Sequence, residues 1–286
     1  AMARPVRLFA LSVTSMQSNM AAKTLVLRTP SGVSGDMLLT GMAGIAGLND
    51  AELADMVDSL AVDALHGCLS IKQVNVDGFS GWKASVKLPP EHAHRSFNDI
   101  RKLIGASKLT QRAKHLAEAA FTELAQAEGA VHGKVANEVT FHEVGALDSI
   151  LDICLVSAIF DRISCDSFVC SPLPVCDGVI CCEHGLLAAP APAVLQMLDG
   201  IPVYGIDSTG ETITPTAIAL LKALGARFDR WPAVTIEKVL RVFGGRTVPN
   251  VPNGAIFVLG SSHGLECPAG PADLAHHHIA ERSGKG

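Results

Sequence analysis

From residue 22 onward, short apolar runs and amphipathic stretches are separated by glycine- and proline-rich breaks. Thr24 to Arg28 predicts a strand, and Pro30-Ser31-Gly32-Val33-Ser34-Gly35-Asp36 a tight loop leading into a helix from about Asp36 to Ala46. Asn49 and Glu52 have the spacing of a capping box, and Leu53, Met56, Val57 and Leu60 share one face of the helix behind it. Leu69 to Val76 and Trp82 to Leu88 predict a β-hairpin across Asp77-Gly78-Phe79-Ser80-Gly81; Trp82, Ala84, Val86 and Leu88 alternate cleanly. After Thr110, the stripe Ala113, Leu116, Ala117, Ala120, Phe121 and Leu124 marks a long amphipathic helix. Asp148 to Ile163 is apolar on nearly every side, which predicts a deeply buried helix.

The second half changes texture. Short strand-like runs (Ser167 to Cys170, Val179 to Cys182, Val203 to Ile206) alternate with turns. One helix opens at Pro190-Ala191-Pro192 and stops at Gly200. Another has Thr214 as N-cap, Pro215 at its first position and Gly225 past its end. Val234 to Val242 and Ala255 to Leu259 are late strands. No internal repeat is visible. The expected fold is α/β, of the mixed α+β kind, over residues 22–260, with two lobes meeting near 164. Residues 1–21 read as an N-terminal extension and 261–286 as a disordered tail.

Composition narrows the function. The formal charge is −5 over 286 residues, so no basic field is available to displace counterions from nucleic-acid phosphates. No apolar run approaches the roughly 20 residues needed to span a bilayer, and a cytoplasmic location is expected. The stretch Arg4 to Met20 is basic and free of acid, the makings of a weak transit-like segment, with a plain extension as the simpler reading. The eight cysteines form no CxxC pair, and they read as buried small hydrophobes rather than a zinc site.

Five segments carry candidate chemistry. In the first, Ser31, Gly32, Ser34, Gly35 and Asp36 sit between a strand and a helix start. Such a loop either cradles an anion on backbone N–H groups or is a tight turn with a capping side chain. In the second, His92 and His94 stand at i and i+2 in an extended segment, as a metal-binding pair or as exposed loop histidines. In the third, His142 and Glu143 precede a helix on which Asp148 and Asp152 lie one turn apart. Asp148 reads as an N-cap; Asp152, among Leu151, Ile153 and Cys154, needs a partner or a metal. His184 in a turn is the fourth. Gly210-Glu211-Thr212-Ile213-Thr214-Pro215-Thr216 is the fifth, with threonine hydroxyls, Thr214 and Thr216 among them, and N–H groups at a helix start as a phosphate grip, or with Thr214 as a plain cap. The triple histidine 276–278 lies in the tail and reads as incidental, and no Ser-His-Asp order or nucleophile elbow is present.

Taken in order, Ser-Gly-Val-Ser-Gly-Asp-Met at 31–37, Glu-His-Ala-His-Arg at 91–95, Phe-His-Glu-Val-Gly-Ala-Leu-Asp-Ser-Ile at 141–150, Ser-Pro-Leu-Pro at 171–174, His-Gly at 184–185, Pro-Ala-Pro-Ala at 190–193 and Thr-Pro-Thr at 214–216 resemble the LarC family. The resemblance implies a cyclometallase, a nickel chelatase of the lyase class. It inserts Ni2+ into pyridinium-3,5-bisthiocarboxylic acid mononucleotide to form the nickel-pincer nucleotide cofactor, using CTP with Mn2+ or Mg2+. It assigns nickel handling to His92, His94, His142, Glu143 and His184, with support or proton transfer from Asp148 or Asp152. Ser31, Gly32, Ser34 and Gly35, or Thr214 and Thr216, would grip the phosphate.

The chain departs from the family pattern at Arg28 and Pro30, where an acidic and an aromatic residue are usual, at Ala93 and Ser96 within the histidine run, and near 243–250. Family members continue into a C-terminal nucleotide-binding domain. A split protein with that domain as a separate subunit, a truncated form and a divergent paralogue are all consistent with this sequence, and an oligomer is expected. A nickel metallochaperone and a metal-free phosphate-binding enzyme are the competing classes.

Overall fold

The computed structural model describes residues 21–89, 94–141, 144–182, 185–245 and 251–262, with only the backbone described at Cys181 and Cys182. Its first half contains β1 (Ala22–Arg28), α1 (Gly35–Ala46), α2 (Asp50–Asp58), β2 (Leu69–Val76), β3 (Phe79–Val86), β4 (Arg95–Ser96), α3 (Phe97–Ala106), α4 (Gln111–His132), β5 (Thr140–Phe141) and α5 (Leu147–Ile163). The second half contains β6 (Ser167–Cys170), β7 (Leu173–Val175), β8 (Val179–Cys182), β9 (Gly185–Ala188), α6 (Pro192–Met197), β10 (Val203–Gly205), α7 (Pro215–Ala223), β11 (Arg227–Phe228), β12 (Thr235–Val242) and β13 (Ala255–Ser262). This is the mixed α/β architecture expected.

A seven-stranded mixed sheet in the order β11-β6-β1-β13-β12-β3-β2 frames the molecule. β1 runs parallel to β6 and antiparallel to β13. Its Leu25, Val26 and Leu27 are fully buried, as befits a strand covered on both faces. Strands from both sides of residue 164 lie side by side in this sheet, and Ser164 is the left-handed C-cap of α5. β13 runs two residues beyond the boundary read at 260.

Glycines bring α1 down onto the sheet. A Cβ at Gly41 would stand 2.2 Å from the Phe257 ring, and one at Gly44 would stand 2.3 Å from Leu240 Cδ2. Behind α1 lies α5, packed also against α4 and α7, with apolar residues buried all round it. The capping box at the start of α2 is present: Asn49 accepts from Glu52 N, and Glu52 accepts from Asn49 N, both at 3.0 Å. Thr214 caps α7 as expected, and α4 starts after Thr110 as expected, with Thr110 as its cap.

Some boundaries moved. The hairpin turn is only Asp77-Gly78, both with positive φ, and Phe79 pairs with Val76. Two left-handed residues match the twist of paired strands, so the longer turn is unnecessary. Asp148 is not an N-cap. Ala146 holds that position, and Asp148 accepts from Ser149 N at 2.7 Å within the first turn. Of the cysteines, Cys68, Cys154, Cys170 and Cys176 are buried free thiols and Cys165 is half-buried. Burial alone pushes the Cys154 thiol up to about 12. No helix among the described residues is long and apolar enough to cross a membrane.

Candidate functional site

The loop between β1 and α1 is tied to two distant parts of the chain. Gly32, at φ +109°, passes so close to Thr212 that a Cβ would stand 1.8 Å from its carbonyl oxygen. Only glycine combines that conformation with that approach. Next to it, Val33 N donates to Thr212 O at 2.9 Å, and Thr214 N donates to Val33 O at 3.2 Å. Ser31 Oγ reaches Gly254 O at 3.4 Å. The three loops enclose a cleft of about 230 Å³ lined by Ser31, Gly32, Ser34, Asp36 and Thr214, together with Val33, Met37, Glu211, Thr212, Gly244, Gly245, Asn253 and Gly254.

The cleft opens on the start of α1, and that start is uncapped by any side chain. Ser34 occupies the N-cap position, but its hydroxyl is engaged by the Asp36 carboxylate instead. Ser34, Asp36 and Met37 at the start of this twelve-residue helix line the cleft, and the positive end of the helix dipole lies at that start. The start of α7 differs, because Thr214 Oγ1 accepts from Ala217 N at 3.3 Å. Among the described residues the lining includes no lysine or arginine; Asp36 and Glu211 bring acid. A helix start together with the carboxylates of Asp36 and Glu211 in one cleft suits a ligand with an anionic and a cationic end.

Behind the cleft wall, α1, α5 and α7 meet at Asp152. A Cβ at Gly35 would lie 2.4 Å from Asp152 Oδ2 and 3.0 Å from Thr216 Cγ2. Thus Gly35 and Thr216, both read as phosphate-gripping, sit behind the cleft and do not line it. Asp152 retains a narrow opening to solvent, yet its carboxylate finds no hydrogen-bond donor among the described residues. Burial, and then the carboxylates of Asp36 and Asp148, hold the Asp152 carboxyl well above the usual carboxylate range. Three acids from two motifs are thereby gathered around one helix start.

The histidine candidates adjoin the same region in sequence. β4 and β5 pair antiparallel, with Arg95 opposite Phe141. Arg95 Nη1 donates to Gly145 O at 2.8 Å, which fastens the strand after His94 to the approach to α5. His94 is exposed. His92, His142, Glu143 and His184 lie outside the described residues. Among the described residues, no group of three His, Cys, Asp or Glu side chains is assembled for a metal ion. Glu211 and Thr212 fall within the segment read at 210–216, whereas sequence reading gave no site role to Gly244, Gly245, Asn253 and Gly254; the Gly-Gly and Asn-Gly pairs were the available signal.

A sheet-framed α/β protein with an uncapped helix start beside gathered carboxylates is the class these features define. A family model described as nickel insertion protein matches residues 25–279. The chain belongs to that family, which is the LarC family. A pyridinium-3,5-bisthiocarboxylic acid mononucleotide nickel insertion protein of Nocardioides sp. is 37% identical over 223 residues, covering 78% of this chain and 56% of that protein. A protein of the same description from Desulfitobacterium hafniense is 36% identical over 223 residues, covering 77% and 55%. The chain thus spans a little over half the length of these relatives. No solved structure matches it.

Proposed function

We propose that this chain seats the phosphate of pyridinium-3,5-bisthiocarboxylic acid mononucleotide on the uncapped start of α1 and delivers Ni2+ to its sulfurs. The observation that carries the reading is the glycine-lined cleft, where Ser34, Asp36 and Met37 at the start of α1, which no side chain caps, adjoin Glu211. The acids face the positively charged pyridinium ring and the incoming metal. His92, His94, His142, Glu143 and His184 are the nickel donors of this proposal, because imidazole holds nickel firmly yet yields it to softer thiocarboxylate sulfur. Forming a carbon–nickel bond releases a ring proton. A raised carboxyl such as Asp152 is a stronger base than an ordinary carboxylate and, in its deprotonated form, is suited to accept it. Asp148 repels a charge on Asp152 and so favours the protonated form. CTP with Mn2+ or Mg2+, and a C-terminal nucleotide-binding subunit, complete the family reaction in this proposal.

Isothermal titration tests it with two probes, Ni2+ and nicotinate mononucleotide, a pyridinium mononucleotide without sulfur. The combined His92→Ala, His94→Ala and His142→Ala variant should lose nickel and keep the mononucleotide. Gly245→Glu should do the opposite; a Cβ at Gly245 meets nothing within 4 Å, so the change charges the cleft without a clash. Wild-type affinity for both probes in both variants rejects the reading.

A further inference from the structure

Arg28, the last residue of β1, carries a guanidinium that the fold holds but does not fully use. Its Nη1 donates to Asp229 O at 2.7 Å. Its plane lies over the Trp231 ring, 4.7 Å from the centroid. The remaining edge, Nε with Nη2, is buried and has no hydrogen-bond partner among the described residues. Those two N–H groups are parallel donors, the pair that grips two oxygens of a carboxylate or phosphate at once. Buried donors in folded proteins are nearly always satisfied, so a bare pair calls for an occupant. The Asp229 carboxylate lies toward a different arginine, with Oδ2 at 3.9 Å from Arg227 Nε.

We propose that the Nε–Nη2 edge of Arg28 is an oxyanion site, separate from the glycine-lined cleft, that takes a phosphate or carboxylate group. Stacking and the Asp229 contact fix the guanidinium in advance, so little side-chain freedom is lost on binding. Trp231 forms one face of the surroundings of Arg28. It is 50% exposed and lies on the irregular stretch between β11 and β12. Arg28 pairs with Ile256 across the sheet, and the cleft residues Ser31 and Gly254 follow and precede these two strand ends. An anion on Arg28 therefore braces the strand ends from which the cleft loops spring.

Trp231 reports on this site directly. The chain has two tryptophans, so Trp82→Phe leaves Trp231 as the only indole. The full chain in that background is titrated with inorganic phosphate and with acetate at constant ionic strength. Emission from Trp231 should change saturably with at least one of them. The change should persist in Gly245→Glu and weaken at least tenfold in Arg28→Lys, which keeps the charge and loses the fork, with circular dichroism confirming the fold. A flat titration, which means that water alone fills the edge, overturns the proposal without any Arg28 variant. So does a change that Arg28→Lys leaves intact or that Gly245→Glu removes.

Discussion

Gly35 and Asp152 touch across the α1–α5 interface: a Cβ on residue 35 would stand 2.4 Å from Asp152 Oδ2. The contact joins the two most distinctive motifs of the chain, the glycine loop at 31–37 and the helix that follows Phe141. It also explains why the loop ends in glycine, since the carboxylate occupies the space that any side chain would need.

Gly35→Ala should therefore destabilise the protein despite the higher helix propensity of alanine. Overpacking of this kind costs about 1–3 kcal/mol, and each kcal/mol lowers Tm by roughly 2–4 °C at this size. Gly105→Ala in α3 is the control. Nothing lies within 4 Å of its Cβ, so it should gain about 0.5–1 kcal/mol. Thermal unfolding of the two variants side by side checks the contrast.

Asp152→Asn should stabilise the metal-free protein at neutral pH. In the unfolded chain the carboxyl titrates near its usual value of about 3.9, and in the folded chain well above it. Between those values the folded state holds a proton that the unfolded state lacks. The contribution of Asp152 is thus full below the unfolded value and falls as pH rises through the folded one. Asparagine avoids that fall. Tm of Asp152→Asn should match wild type near pH 4 and exceed it near pH 8, while nickel affinity drops by about 10–100-fold if the carboxylate orients a ligand. A Tm deficit of equal size at both pH values would make Asp152 a packing residue only.

Thr216 and Gly245 should separate cleft from wall. Thr216 is buried with its methyl group against Gly35 and does not line the cleft. Thr216→Val should leave nicotinate mononucleotide affinity within about twofold, while Gly245→Glu should reduce it by more than about tenfold through charge repulsion. Titration calorimetry distinguishes the two directly.

Nickel binding should weaken as pH falls below about 6, because an imidazole must be neutral to ligate. Equilibrium dialysis between pH 5 and 8 should show this loss, and the combined His92→Ala, His94→Ala and His142→Ala variant should bind little nickel at any of these pH values.

Much of the fold was legible because local signals were strong. The capping box at Asn49, the cap-and-proline start at Thr214-Pro215 and the apolar stripe after Thr110 each have a short-range cause, and each is present. The helix at Phe97–Ala106 is not among the expected elements although Ser96 caps it; its buried stripe is only Phe97, Ile100 and Ile104, a short periodic signal. Asp152 could be flagged from its apolar neighbours, whereas the meeting of Gly35, Asp152 and Thr216 depends on how three helices pack. Gly244 and Gly254 reach the cleft only because β12 and β13 pair as neighbours. Sequence spacing gives no hint of that, and Asp148 shows the same limit at a helix end: an acid near a start need not be its cap.

The central claim is that mononucleotide phosphate and nickel are held side by side in this chain. Phosphorus NMR of bound nicotinate mononucleotide, with and without Ni2+, tests it most directly. A paramagnetic nickel ion near the cleft should broaden the phosphorus line in the wild-type protein, and the combined His92→Ala, His94→Ala and His142→Ala variant should abolish the broadening while still binding the mononucleotide. Equal line widths in wild type and variant at the same nickel concentration would contradict the account.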